Sequence, residues 1–233
     1  VSERFFLTAP PIAGRAVLSG EEARHLARVL RAKVGDSVSV FDGSGRAWPA
    51  RVVSVGRSEV ELETGDPADE LPRRGPRLTL AVALPKGERQ KWLVEKLTEL
   101  GVDRVVPLVT ERGVAEATPS AIERLARGVI EACKQCGRNR LMEIGQAATV
   151  AQVVANKPAN ATGIVADPAG APLDSTSLQA ANEIVALVGP EGGFSEAERT
   201  TALQSGFRAV TLAPTILRIE TAAIALAARV SGL

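Results

Sequence analysis

From Leu78 onward the chain alternates short apolar runs with helical patterns, and few architectures accept that alternation. Leu78 to Leu84 is an apolar run of the kind found in strands covered on both faces. A helical pattern follows from about Arg89 to Leu100 and stops at Gly101, where a left-handed terminator is expected. Arg104 to Val109 is the next strand. Thr118-Pro119 then supplies a cap with proline in the first helical position, opening a helix to about Cys136 that ends at Gly137. Thr162–Ala166 and Glu183–Val188 read as further buried strands, Ala209–Leu212 as a short one, and Ile219–Val230 as a final Ala-rich helix. Ser195 and Glu198 form a capping box between them. Strand and helix in turn imply an α/β layer structure with a mostly parallel sheet.

Residues 1–70 read differently, as a small, mostly β unit. Ser19 and Glu22 suggest a capping box opening a helix to about Arg31. Ser37–Phe41 alternates as a strand, Asp42-Gly43 signals a hairpin, and Arg46–Val55 and Ser58–Glu63 give two more strands. The polar stretch 64–77, rich in Pro and Gly, reads as a linker, which sets domains at 1–72 and 73–233. Hydrophobic residues make up 45% and charged residues 24%, an ordinary globular balance. The formal net charge of +1 excludes a strongly basic polyanion binder. No apolar window approaches a membrane span, and Val1–Leu7 lacks the apolar core of a signal peptide. Cys133 and Cys136 lie three residues apart in a helical pattern, a poor disulfide framework, and a single histidine leaves a Cys/His metal site little to draw on. A cytoplasmic protein with no membrane segment and no metal is therefore expected.

Neither a Gly-rich dinucleotide fingerprint nor a Walker A pattern follows the first strand, whose next residues are Pro85-Lys86-Gly87-Glu88. Glycine concentrates instead at Gly189, Gly192 and Gly193, just past Glu183–Val188, where ligands of open α/β sheets sit. Leu212–Arg218 follows the next strand, so the two loops can share one pocket; both also read as simple connecting turns. The sequence Ile216-Leu217-Arg218-x-Glu220-Thr221-Ala222 places polar groups at the start of an apolar helix. Two basic patches stand out. Arg24, Arg28 and Arg31 form a helical stripe opposite Leu26, Val29 and Leu30, with His25 at its edge. Lys134, Arg138 and Arg140 cluster about the helix end at Gly137. Each patch reads equally as a solvated face or as helix-end charge, and the pair together favours a patchy RNA-binding surface.

Five ordered segments resemble one family: Arg24-His25-Leu26-x-x-Val29-Leu30-Arg31; Lys96-x-x-Glu99-Leu100-Gly101-Val102; Glu131-Ala132-Cys133-x-Gln135-x-Gly137-Arg138-Asn139; Gly189-Pro190-Glu191-Gly192-Gly193-Phe194-Ser195; and Ile216-Leu217-Arg218-x-Glu220-Thr221-Ala222. The chain resembles the ribosomal RNA small-subunit methyltransferase E family of SPOUT enzymes. The resemblance implies an N-terminal PUA-like β-barrel and a C-terminal SPOUT domain with a deep trefoil knot. It further implies S-adenosylmethionine as cofactor, a homodimer, and methylation of N3 of one uridine of 16S ribosomal RNA, in the 30S subunit or a late assembly particle. Three segments depart from the family pattern: Gly113 where a Ser is common, Leu141-Met142 where Val-Pro is common, and Ala213 where a Gly is usual. The last would be tolerated only at negative φ.

On that footing Leu187, Gly189, Gly192, Gly193, Leu212, Leu217 and Thr221 are expected to hold the cofactor. Arg138, Glu191 and Arg218 are expected at the reacting uridine, and Arg24, His25, Arg28, Arg31, Lys134 and Arg140 at the RNA. The alternatives are a methyltransferase of the same fold acting on transfer RNA, and a non-catalytic ribosome-assembly protein that binds RNA.

Overall fold

A computed structural model describes residues 3–69, 75–174, 178 and 180–231. Contacts group the chain into two compact units: Val1–Pro72 with Ile130–Leu141, and Arg73–Val129 with Met142–Leu233. The proposed linker segment contributes a short strand at Ala68–Asp69, while its residues 70–74, and with them the 72/73 boundary, lie outside the described residues.

The first unit is a six-stranded sheet in the order β1-β3-β4-β5-β2, with β6 paired to β4. Its strands are β1 (Arg4–Phe6), β2 (Arg15–Ser19), β3 (Ser37–Phe41), β4 (Arg46–Val55), β5 (Glu59–Thr64) and β6 (Ala68–Asp69). Among its described strands only β1 and β3 pair in parallel. Strict alternation in β5 puts Val60, Leu62 and Thr64 inward, and Val60 and Leu62 close over Phe5, Leu18, Val40 and Trp48. The hairpin expected at Asp42-Gly43 forms, with Phe41 opposite Ala47, and so has a five-residue tip rather than a two-residue turn. Asp42 Oδ1 accepts from both the amide and the hydroxyl of Ser44, which shapes that wider tip.

The helix expected from Ser19 to Arg31 is different in kind. Helix α1 spans Gly20–Arg24, and His25–Val29 continues as one π turn, with Leu30 N bonded to His25 O five residues back. The wider turn breaks the 3.6-residue periodicity. Leu26 is buried, but Val29 is 68% exposed and Leu30 38%, so the apolar face expected there does not exist. Arg31 adopts φ +54°, outside the helix altogether, which also ends the expected arginine stripe. The Ser19–Glu22 capping box is absent too: the Ser19 side chain makes no cap bond. Glu22 instead accepts from the Phe6 amide and from Lys134 Nζ.

The second unit carries a seven-stranded, all-parallel sheet ordered β10-β8-β7-β12-β11-β13, with β9 beside β8. Its strands are β7 (Arg77–Val82), β8 (Arg104–Val109), β9 (Glu143–Ile144), β10 (Ala148–Thr149), β11 (Thr162–Pro172), β12 (Glu183–Val188) and β13 (Arg208–Thr211). Its helices are α2 (Arg89–Glu99), α3 (Pro119–Cys136), α4 (Val150–Ala155), α5 (Glu196–Gln204) and α6 (Ile219–Val230). The apolar runs are strands because both sides are covered. Ala81, Val106, Val185 and Leu187 pack with Val150 and Val153 of α4, Ala202 of α5 and Phe207. On the other face α6 packs against β7, β12 and α2. Helix α3 runs from the second unit into the segment grouped with the first.

Candidate active site

The carboxyl ends of β11, β12 and β13 open onto one cleft of the second unit, lined by loop residues that follow each strand. Beyond Val188 the chain turns tightly: the Gly193 amide donates to Pro190 O at 2.8 Å, and Gly193 has φ +70°, a conformation that disfavours any side chain. Gly189 is glycine for a different reason, since a Cβ there would lie 3.0 Å from the Phe194 ring. Helix α5 then begins with the expected capping box, Ser195 Oγ taking the Glu198 amide and Glu198 Oε2 the Ser195 amide.

This loop is braced from outside by the segment after β8. Arg112 donates to Gly192 O at 2.8 Å, and the Glu111 amide donates to Glu198 Oε1 at 2.9 Å. From β13, Thr211 Oγ1 donates to Ala213 O at 3.0 Å. Ala213 is not among the non-glycine residues at positive φ, which are Ala13 and Arg31, so alanine replaces glycine there without strain.

The third wall comes from β11. Its pairing with β13 breaks between Ala166 and Ala171, and the bulge carries Asp167 and Pro168 into the cleft. Asp167 accepts from Arg199 Nε at 2.7 Å and from the Ala169 amide at 2.8 Å. Burial pushes the Asp167 carboxyl up, but the bonds from Arg199 and Ala169 outweigh it and hold the group below the ordinary aspartate value.

Of the residues expected at the cofactor, Gly189, Gly193, Leu212 and Leu217 line the cleft. Leu187 is fully buried within β12, Gly192 faces Arg112, and Thr221 is exposed on α6 away from the cleft lining. Glu191 lines the cleft, with its carboxylate 3.5 Å from Arg89, which also lies 3.4 Å from the buried Glu220. Arg218 is the exposed N-cap residue of α6, outside the lining. Thr215 and Ile216, within the Leu212–Arg218 loop expected at the pocket, line the cleft as well, and so do Asp167 and Arg199, which the sequence did not single out. Asp167-Pro168, directly after the apolar run to Ala166, was the available signal, because that dipeptide initiates turns.

The remaining expected residues belong to the first unit. Arg24, Arg28 and Arg31 are exposed, and His25 packs at 5.9 Å from the Phe5 ring. Lys134 is committed to Glu22 at 2.9 Å and Glu131 at 3.3 Å, and its side chain is 13% exposed. Despite the burial that lowers it, those two carboxylates hold the Lys134 ammonium above the ordinary lysine value. Arg138 is half-buried and Arg140 exposed, both on the loop after α3. Among the described residues no helix is long and apolar enough to cross a membrane, and no group of three His, Cys, Asp or Glu is placed to hold a metal ion.

The family model described as the RNA methyltransferase domain matches residues 73–231, the sheet and its cleft, and the one described as the RNA methyltransferase PUA domain matches residues 18–64, which together make the chain an RNA methyltransferase. A protein named ribosomal RNA small subunit methyltransferase E from Synechocystis sp. is 34% identical over 231 residues, covering 95% of this chain and 74% of that one. The protein of the same name from Rickettsia conorii is 30% identical, covering 91% of this chain and 87% of the relative. Among solved structures, ribosomal RNA small subunit methyltransferase E from Neisseria gonorrhoeae, bound to S-adenosyl methionine, superimposes with a TM-score of 0.89 at 30% identity, over 98% of this chain and 96% of that one. The chain belongs to the ribosomal RNA small subunit methyltransferase E family.

Proposed function

We propose that this protein transfers the methyl group of S-adenosylmethionine to N3 of a uridine in 16S ribosomal RNA of the small subunit. The observation that carries the reading is the three-walled cleft at the carboxyl ends of β11, β12 and β13, in a chain whose relative from Neisseria gonorrhoeae is bound to that cofactor. The residues present fit such a ligand. Phe194, Leu212, Leu217 and Ile219 give apolar walls for an adenine ring, and Gly193 brings backbone close where a side chain would be strained. Asp167, held ionised by Arg199, offers a fixed acceptor for hydroxyl or ammonium donors.

When bound, S-adenosylmethionine supplies an electrophilic methyl on a sulfonium, with a neutral thioether as leaving group. The chain has to hold the uracil edge and favour loss of the N3 proton. Arg138 and Arg218 would stabilise the imide anion or orient its phosphate, and Glu191, which lines the cleft, is the carboxylate we place at the N3 proton. We assign RNA docking to residues 1–72, through Arg24, His25, Arg28 and Arg31, with Arg140 beside Arg138, and methyl transfer to residues 73–233; Lys134, tied to Glu22 and Glu131, serves the loop rather than the RNA. The fold reading includes the trefoil knot. From β13, at one edge of the sheet, the chain returns past the cleft to lay α6 over β7 and β12, so that the last segment passes the loop after β12. It also includes a cytoplasmic homodimer: Ile216 at the cleft mouth is 82% exposed and Trp92 on α2 46%, apolar surface that a second copy would cover.

Labelled methyl transfer to 30S particles lacking the modification, followed by mapping of the base, tests the assignment. One uridine methylated at N3 is the expected product. Transfer to free transfer RNA alone would move the substrate, and no binding of S-adenosylmethionine by calorimetry would leave an RNA-binding protein without catalysis.

A further inference from the structure

The loop that carries Arg138 is held by residues 3–69 of its own unit rather than left to itself. Arg4 on β1 donates through Nη2 to Asn139 Oδ1 at 2.7 Å and to Arg138 O at 3.3 Å. Its guanidinium carbon lies over the Phe41 ring, 4.9 Å from the centroid, a cation–π contact that adds to its hold on the loop. The tip of the β3–β4 hairpin grips the same loop: Gly45 N donates to Asn139 O at 3.3 Å, Leu141 N donates to Gly43 O at 3.1 Å, and Arg140 bridges Gly43 and Ser44. A Cβ on Gly43 would sit 2.7 Å from Leu141 Cγ, so the hairpin tip is bare where Leu141 packs. One turn earlier, Lys134 is tied to Glu22, whose carboxylate also receives the Phe6 amide.

Arg4 is an expensive residue for a small sheet. Its Nε is buried without a hydrogen-bond partner, and strand β1 pairs with β3 through backbone alone. Nothing in the sheet's own pairing calls for a guanidinium there. What its Nη2 does hold is the backbone carbonyl of Arg138 and the side-chain carbonyl of Asn139, two acceptors of the loop at once.

We infer that Arg4 is a positioning residue for Arg138, fixing the loop backbone so that Arg138 meets the RNA in one preset orientation. The inference rests on the role given to Arg138 in the proposed function. Ordering the loop in advance removes its entropy cost from the reacting complex, so the loss on releasing it falls on turnover rather than on cofactor affinity. Lysine at position 4 keeps the charge, but its ammonium ends one bond short of the Nη2 nitrogen that makes both contacts.

The test uses the full chain with Arg4→Lys, Asn139→Ala, Arg138→Ala and the Arg4→Lys/Arg138→Ala double variant. Methyl transfer to unmodified 30S particles gives kcat and KM, calorimetry gives S-adenosylmethionine affinity, and mass spectrometry follows native-state tryptic cleavage after Arg138. Arg4→Lys and Asn139→Ala are each expected to lower kcat about tenfold while cofactor Kd stays within about twofold. Cleavage after Arg138 should rise about tenfold in both with the circular dichroism unchanged. In the double variant, Arg4→Lys should cost no more than about twofold beyond Arg138→Ala, because the two act as one unit. Unchanged cleavage or unchanged kcat in Arg4→Lys and Asn139→Ala overturns the inference, as does a full additional loss in the double variant. Arg138→Ala turning over at the wild-type rate while Arg4→Lys still opens the loop would overturn the role of Arg138 itself and leave the loop-ordering by Arg4 standing.

Discussion

Gly193 is the residue on which the cleft turns most directly. Its φ of +70° costs an L-residue about 1–2 kcal/mol, whereas Gly192 beside it has no such requirement and would meet Arg112 only at an ordinary 3.4 Å. Gly193→Ala is therefore expected to weaken S-adenosylmethionine binding about tenfold by calorimetry, with Gly192→Ala within about twofold of wild type. Asp167 makes a second prediction. Its folded-state value lies below the ordinary aspartate value, so its contribution to stability is complete above about pH 3.9 and is lost as pH falls through the folded value. The melting-temperature gap between wild type and Asp167→Asn should accordingly hold at neutral pH and close only in acid. The gap should shrink if Arg199 is first removed, leaving only what the Ala169 amide contributes. Residue-level legibility followed distance along the chain. The glycines of the cleft declared themselves because their reasons are local. Glu22 did not, because the lysine that takes its carboxylate lies 112 residues away, and no spacing pattern near Ser19 records that.

At the scale of elements, the capping box of α5 was readable because both its partners fall within four residues. The same signature, Thr149 with Gln152, opens α4 and passed unnoticed in a helix of only six residues. The buried run expected at Thr162–Ala166 is longer in the structure: past Ala166 the chain bulges at Asp167-Pro168, pairing with β13 resumes at Ala171, and β11 reaches Pro172. Gly170 makes that return possible, since a Cβ would lie 2.5 Å from the β13 backbone. The π turn at His25–Val29 left no mark in the periodicity, which is why Val29 and Leu30 were assigned to a core they do not enter. Within α5 the two halves of the box should differ in weight. Ser195→Ala removes one cap bond, about 1 kcal/mol. Glu198→Ala removes the bond to the Ser195 amide and the one to the Glu111 amide, about 2 kcal/mol, and frees the brace on the cleft loop. Urea unfolding would read both, and equal losses would mean that the Glu111 bond carries no stability.

For the whole molecule, the parallel sheet was legible because buried apolar runs and capped helices recur in step. The grouping of Ile130–Leu141 with residues 1–72 was not, because its cause is pairing between residues as far apart as Arg4 and Asn139. Charge at this scale sets how the protein meets RNA. A net charge of +1 gives no broad field, so affinity has to come from a few placed cations, and each should show in the salt dependence. If Arg24, Arg28, Arg31 and Arg140 meet phosphates, four contacts give a slope of about −3 in log K against log salt, or about fiftyfold weaker binding between 50 and 200 mM. Arg28→Gln should flatten that slope by about 0.7, as the loss of one contact. Lys134→Gln should leave it unchanged, because the ammonium is already neutralised by Glu22 and Glu131 inside its unit. It should instead lower stability, and that loss should vanish at high pH: the Lys134 value is raised on folding, so its contribution is complete below the ordinary lysine value of about 10.4 and is lost as pH rises through the folded value. A lysine that changed the salt slope rather than the alkaline melting curve would be an RNA ligand, and the tie that holds the Arg138 loop would have to lie elsewhere.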